Sequence, residues 1–116
     1  MAVLAFACAP ALAPPAAAHA FLDHALPAVG STVHAPPPQV KLWFTQKLEP
    51  AFSKAEVSDS TGKRVDRSDA RVDDNDPTVL TVSVPQLAPG RYRVKWRVLS
   101  VDTHVTEGDY RFDVAR

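Results

Sequence analysis

The sequence predicts an all-β fold, either an antiparallel β-sandwich or a Greek-key barrel. Apolar and polar residues alternate over about six or seven short segments, as in strands with one buried face. No window repeats apolar residues at i, i+3, i+4 and i+7 over three turns, and 11 prolines leave little room for helices. A chain of 116 residues suits one domain.

The strand pattern is strongest in the second half of the chain. The segments that carry it are, in order, 40–45, 55–58, 79–84, 91–98 and 108–114. Their predicted inward residues are Val40, Leu42, Phe44, Leu80, Val82, Val84, Tyr92, Val94, Trp96, Val98, Tyr110, Phe112 and Val114. The opposite face of 91–98 carries Arg91, Arg93, Lys95 and Arg97, which we interpret as a solvated face that also protects a sheet edge, and not as a binding stripe.

Connections are predicted where turn residues cluster. The stretch 27–38 is rich in Pro, Gly and Ser and predicts irregular chain across one end of the domain. Turns are expected at 59–62 and at Pro89-Gly90. The aspartate-rich segment 66–76 lacks the glycine and glutamate spacing of an EF-hand, so it predicts a flexible polar loop rather than a calcium site.

The charge balance narrows the classes of partner. The chain has 13 basic and 13 acidic residues and a formal net charge of zero. Nucleic acids and anionic membrane surfaces both reward a concentrated positive patch, so neither is expected as the main partner. The 46% hydrophobic and 22% charged content is typical of a globular domain.

Residues 1–18 have the composition of an export signal. They carry no charge, are rich in Ala and Leu, and end in the small-residue pattern Ala16-Ala17-Ala18. They are short for a membrane span and are interrupted by prolines. We predict a signal peptide cleaved after Ala18, followed by a domain at 19–116. A missing basic n-region leaves an upstream start open, and a disordered tail or a lipid anchor at Cys8 are the alternatives.

Cleavage after Ala18 would create an unusual metal ligand. His19 would become the first residue, and its α-amine and ring Nδ1 can close a chelate on one metal ion. Cleavage would also remove Cys8 and Met1, the only cysteine and the only methionine, leaving no sulfur ligand. The predicted exported domain therefore relies on its core rather than on disulfides.

A second cluster of ligand types lies at the end of the long alternating strand. In an extended chain Asp102 and His104, two residues apart, point to the same face. Together with His19 they would supply three nitrogens and one oxygen. A tetragonal set of N and O donors suits Cu(II) best, with Zn²⁺ as the next candidate.

These motifs together resemble the CopC family of periplasmic copper-binding proteins. The resemblance lies in A-A-A-H-A-F-L at 16–22, L-W-F-T at 42–45, P-G-R-Y-R-V-K-W at 89–96, S-V-D-T-H at 100–104 and G-D-Y-R-F at 108–112. It covers essentially all of the chain after residue 18. It implies a cupredoxin-like, immunoglobulin-like β-sandwich whose Cu(II) ligands are His19, Asp102 and His104.

Two departures from the family pattern refine the site. Where the family often has a Glu in an F-S-E motif, this chain has Phe44-Thr45-Gln46, so we expect Gln46 to act as an outer-sphere hydrogen-bonding residue, with Glu49 as a less favoured substitute. Without Met or Cys after residue 18, the soft ligands of a Cu(I) site are missing, and a single Cu(II) site is predicted. His24 and His34 are expected to be surface residues.

The resemblance implies a non-enzymatic copper carrier in the periplasm that serves copper resistance or homeostasis. Its expected partner is a CopD-type inner-membrane copper transporter, and the chain shows no hydrophobic span of its own after signal cleavage. An N-terminal histidine chelate also resembles the copper site of polysaccharide monooxygenases, so a copper-dependent oxidative enzyme is the alternative. A metal-free immunoglobulin-like scaffold is a third.

Overall fold

The computed structural model describes residues 19–116, which form an almost purely β domain. The strands are β1 Leu22–Leu26, β2 Thr32–Val33, β3 Gln39–Phe44, β4 Lys54–Asp59, β5 Arg71–Val72, β6 Val79–Ser83, β7 Gly90–Leu99 and β8 Val105–Val114. The helical structure within these residues is one 3₁₀ turn, Pro50–Phe52. The all-β prediction is confirmed. The predicted signal peptide lies outside the described residues.

The strands form two four-stranded sheets, which makes the domain a sandwich rather than a barrel. One sheet has the order β1-β3-β6-β5 and the other the order β2-β8-β7-β4. Neighbouring strands are antiparallel except β2 and β8, which pair in parallel through Thr32 opposite Asp113 and Val33 opposite Val114. The prediction of an antiparallel sandwich therefore holds apart from this two-residue strand.

The core lies between the two sheets and is made of the alternating residues that the sequence predicts. Except for Trp96, which is partly buried against the core, every predicted inward residue is buried. Leu42, Leu80, Val94 and Val98 are 0% exposed. Burying each such side chain contributes on the order of 1.5–3 kcal/mol, which is how this domain can do without disulfides.

The first, second and fifth strands differ from the sequence prediction. Part of the stretch 27–38 forms β2, and part of the segment 66–76 forms β5, which pairs with β6. Strand β1 pairs with β3 across a register irregularity between Leu22 and His24, and it is mostly exposed. Short or irregular edge strands are held by their partners rather than by their own alternation, so their sequences carry little strand signal.

The interpretation of the basic face of β7 as edge protection is wrong. Strand β7 lies inside its sheet, between β8 and β4. The side chains are solvated, as expected, but three of them form cross-strand ion pairs with β8. Arg93 Nε lies 2.7 Å from Asp109 and Arg91 Nε lies 3.1 Å from Asp113, and Arg97 pairs with Glu107.

Candidate metal centre

The Asp102-Thr103-His104 motif lies in the turn that joins β7 and β8, not in a strand. Strand β7 ends at Leu99 and β8 begins at Val105, so the expectation of an extended chain through His104 is wrong. The Ser100 amide donates to the His104 carbonyl at 3.0 Å, and the Thr103 amide donates to the Ser100 carbonyl at 2.9 Å. Thr103 has a φ of 73°, which is rare for a β-branched residue. The turn, rather than strand alternation, brings Asp102 and His104 together.

Asp102 is held ionised and partly open to solvent. The hydroxyl of buried Ser100 donates to the carboxylate and lowers the pKa of Asp102 below its usual value, and the adjacent His104 lowers it further. His104 Nδ1 lies 3.4 Å from Asp102 Oδ1. The two side chains are 41% and 45% exposed, so a metal ion can reach both.

His19 reaches this turn because the segment around it is anchored to both sheets. The Phe21 amide donates to Thr45 Oγ1 at 3.0 Å, beside β3, and Thr106 Oγ1 on β8 donates to the Ala20 carbonyl at 2.6 Å. These bonds place the His19 ring 4.6 Å from the His104 ring, centroid to centroid. The structure therefore brings together the three predicted ligands, of which His19 lies far along the chain from Asp102 and His104.

The other candidate residues lie around this centre or away from it. Gln46 is half-buried in the connection after β3, between Thr45 and Lys47, whose carbonyl accepts a bond from the amide of Val101 in the turn. This places Gln46 at the periphery of the centre. In the same connection, the Glu49 amide donates to the Leu99 carbonyl at 2.8 Å.

The remaining histidines are surface residues, as expected. His24 stacks on Trp43 with centroids 4.4 Å apart, and its Nδ1 lies 2.7 Å from Asp23 on the outer side of β1 and β3. His34 follows β2 and lines a groove near the carboxyl end of β8. His34 therefore lies toward the other end of the sandwich from the β7–β8 turn.

The arrangement offers the imidazoles of His19 and His104 and the carboxylate of Asp102, but these groups do not converge on one metal position. Within residues 19–116, no three His, Cys, Asp or Glu side chains are gathered closely enough to hold a metal ion as they stand. Exposed side chains such as Asp102 and His104 can rotate to converge. The nitrogen of His19 is a peptide nitrogen while Ala18 precedes it, and it becomes an amine donor only if the chain is cut there. The donor set is oxygen and nitrogen, which fits Cu(II).

Sequence reasoning did not identify the threonines that position His19. Thr45 follows β3 of one sheet and Thr106 lies in β8 of the other, and each bonds the backbone of the segment around His19. Neither residue stands out in sequence, because threonine is a common strand residue. Ser100 belongs to the S-V-D-T-H motif, so its proximity to Asp102 could have been anticipated.

Comparison with known proteins shows which family this chain belongs to. The family model described as CopC domain matches residues 22–115. The chain belongs to the CopC family. The resemblance stated from the sequence is confirmed, and so is the β-sandwich fold, since solved CopC-family structures superimpose on this domain.

Solved relatives match this CopC domain over most of its length. The crystal structure of CopC from Methylosinus trichosporium OB3b is 45% identical with a TM-score of 0.78, covering 84% of this chain and 94% of that one. PcoC from Escherichia coli, described as a methionine-rich copper resistance protein, is 32% identical with a TM-score of 0.72, covering 84% of this chain and 99% of that one. Both sequence identities are higher than a shared fold alone requires.

Curated relatives include proteins named for copper. Protein YobA from Escherichia coli K12 is 37% identical over 98 residues, covering 84% of this chain and 79% of YobA. Copper resistance protein C from Xanthomonas campestris pv. juglandis is 35% identical over 104 residues, covering 84% and 80%. Copper transport protein CutJ from Bacillus subtilis is 28% identical over 100 residues, which are 85% of this chain but 18% of CutJ.

Proposed function

We propose that this chain is a non-enzymatic carrier of Cu(II), with one Cu(II) site at His19, Asp102 and His104. The observation that carries the proposal is the 4.6 Å approach of the His19 and His104 rings beside the Asp102 carboxylate. Family relatives named copper resistance protein C support copper as the cargo.

The ligand chemistry follows from cleavage before His19. A free α-amine and ring Nδ1 of His19 would form a chelate, and His104 and Asp102 would complete a set of three nitrogens and one oxygen. Cu(II) competes well for such a set because it stands at the top of the affinity order of divalent metals. Gln46 would hydrogen-bond near the metal without adding charge. No Met or Cys follows residue 8, so a Cu(I) thioether site like that expected of a methionine-rich relative has no ligands here.

Exposure of the ligands favours a carrier over a protein with a resident cofactor. Asp102 and His104 are each more than 40% exposed and lie in a turn at one end of the sandwich. A recipient can therefore approach the metal and replace ligands one at a time. We propose that exchange takes place in the periplasm, after export, with a CopD-type membrane copper transporter.

The match to part of CutJ supports the membrane partner, because there a domain of this kind makes up 18% of a copper transport protein. Among residues 19–116, no helix is long and apolar enough to cross a membrane. The membrane step would then belong to the partner.

The test compares copper affinity in two preparations, one beginning at His19 and one with a single extra alanine before it. We expect one-to-one Cu(II) binding by the first, and binding weaker by more than about 100-fold in the second, because the extra residue turns the amine into an amide. Affinity is measured by competition with a Cu(II) chelator, and electron paramagnetic resonance reports the number of nitrogen donors. Equal affinities with an unchanged spectrum would refute the chelate.

A further inference from the structure

The outer face of β4, β7 and β8 is organised in rows of directly opposed residues. Every row but one contains at least one carboxylate beside its basic residues. In chain order along β7 the rows are Arg91–Asp113, Ser58–Arg93–Arg111, Glu56–Lys95–Asp109 and Lys54–Arg97–Glu107. The row of Ser58, Arg93 and Arg111 holds two cations, one hydroxyl and no acid.

Arg93 and Arg111 form an unfavourable pair. Residues directly opposed in an antiparallel sheet have Cβ atoms about 4.5–5.5 Å apart, and like charges at that separation destabilise the sheet. Arg93 leans out of its row and donates to Asp109 at 2.7 Å. Within the described part of the chain, Arg111 has neither a hydrogen-bond acceptor nor an ion-pair partner for its guanidinium group.

A groove of about 500 Å³ lies over this row. Its lining includes Ser58, Ser60, Gly62, Arg93, Lys95 and Arg111. Two acids also line it, but both already have partners. Glu56 lies 3.6 Å from Arg64, and Asp59 accepts bonds from the amides of Thr61 and Lys63 at 2.9 and 3.0 Å. The groove therefore presents the unpaired positive charge of Arg111 beside Arg93, whose Nε donates to Asp109.

We propose that Arg93 and Arg111, with Ser58, bind a phosphate group in this groove. A guanidinium fork donates two parallel hydrogen bonds to an oxyanion, and a tetrahedral phosphate has enough oxygens for two forks and a hydroxyl at once. The bound charge would relieve the repulsion between the two arginines. Free inorganic phosphate and the phosphodiester of a lipid headgroup share this chemistry.

The site is separate from the metal centre. Ser58, Arg93 and Arg111 lie toward the ends of β4, β7 and β8 that are away from the β7–β8 turn, whereas Asp102 and His104 lie in that turn, beyond Leu99. It also refines what the zero net charge predicts. A neutral chain has no broad positive patch, but the pairing of β7 with β8 concentrates two arginines at one point.

The first experiment titrates the copper-free full chain with inorganic phosphate, followed by nuclear magnetic resonance of the arginine Nε–H groups. We expect saturable shifts at Arg93 and Arg111, and affinity at least about tenfold weaker in Arg111→Gln and in Arg93→Gln. Arg97→Gln is the matched control. It removes the same charge from the same face of β7, but in a row that contains Glu107, and it should bind phosphate almost as the wild type does.

The second experiment identifies the source of the phosphate. Co-sedimentation with vesicles of phosphatidylglycerol, against vesicles of zwitterionic phosphatidylcholine, is measured for the wild type and for Arg111→Gln. Retention on phosphatidylglycerol that Arg111→Gln abolishes assigns a lipid headgroup, and phosphate shifts without vesicle binding assign the free ion. No saturable binding in either experiment, or equal weakening by Arg97→Gln and Arg111→Gln, overturns the proposal.

Folding of the variant is checked without phosphate. We expect the urea midpoint of Arg111→Gln to equal or exceed that of the wild type, because the substitution removes a like charge beside Arg93. A lowered midpoint would mean that Arg111 stabilises the sheet itself, and it would contradict the strain on which the proposal rests.

Discussion

Asp66 and Asp102 are two carboxylates beside the same sheet, and hydrogen bonds lower the pKa of both. The Asp66 side chain is 0% exposed, and it accepts bonds from the Val57 amide, the Ser68 amide and Arg64 Nε, each at 2.8 Å. The Asp102 side chain is 41% exposed, and its partners are the Ser100 hydroxyl and the His104 ring. One carboxylate is saturated by the protein, and the other keeps oxygen lone pairs directed to solvent.

The difference separates a structural acid from a ligand. Strand β4 is an edge strand, and the segment after it closes part of that edge. The Asp59 amide donates to the Lys63 carbonyl at 2.9 Å, and the Val65 amide donates to the Val57 carbonyl at 2.8 Å. Asp66 then takes the Val57 amide, as a partner strand would. An edge covered in this way does not invite pairing with other chains.

The largest expected effect is on Cu(II) affinity at the turn that holds Asp102. His104→Ala removes a proposed ligand, so we expect Cu(II) binding to weaken by more than about 100-fold, beyond the loss typical of a residue that only supports a ligand. The matched control is His24→Ala, which removes an exposed imidazole held by Asp23 on the outer side of β1. Chelator competition on chains beginning at His19 measures both. A loss shared by the two variants would mean that binding at His104 is not specific.

The free energy of unfolding should depend more on Asp66 than on Asp102, which is the reverse of what we expect for copper affinity. Asp66→Ala leaves the Val57 and Ser68 amides without their acceptor, so we expect a loss of about 2–3 kcal/mol. Asp102→Ala removes an exposed acid and should cost much less. Urea denaturation of the copper-free proteins measures both. Equal losses would show that the turn at Asp102 is as structural as the segment at Asp66.

Sequence patterns predicted those parts of the fold that are set by local alternation. Strands β3, β7 and β8 each bury one face, so their residues alternate visibly, and β6 is buried from Val79 to Val82. Strands β1, β2 and β5 are short or irregular, and they depend on β3, β8 and β6 for their hydrogen bonds. The aspartates of 66–76 predict a flexible loop, but Asp66, Asp69, Asp73 and Asp76 accept backbone amide bonds, and two of these bonds come from Val57 in β4 and Ser83 in β6.

The sequence predicts which residues belong to the candidate site, but not how they are arranged in space. His19, Asp102 and His104 were identified from residue type, a cleavage pattern and a family resemblance. Their approach depends on contacts between distant parts of the chain, such as Thr106 with Ala20, which no local pattern encodes. The left-handed φ of Thr103 was equally hidden, because residues favoured in that conformation are Gly, Asn and Asp. The like-charged row of Arg93 and Arg111 also appears only when the register of β7 and β8 is known.

The smallest expected effect is on the pH dependence of stability, which tests the charge of Asp66 directly. Burial acts to raise the pKa of Asp66, but bonds from Arg64 and from the Val57 and Ser68 amides outweigh it and lower the pKa. Glu56, which also faces Arg64, is half-exposed and interacts at 3.6 Å. A carboxyl with a folded pKa below its unfolded value of about 3.9 stabilises the protein above that pH. The contribution fades as pH falls through the folded pKa.

We therefore expect the stability advantage of the wild type over Asp66→Asn to be full at pH 7 and pH 5 and to shrink below about pH 4. The asparagine has no charge to lose, so its own curve should be flatter over that range. The difference should be smaller at pH 3 than at pH 5, because the lowered pKa of Asp66 ties its contribution to the charged form. Urea midpoints at the three pH values measure it. A difference that stays constant down to pH 3 would mean that Asp66 acts through its shape and neutral hydrogen bonds, and that charge is not what separates it from Asp102.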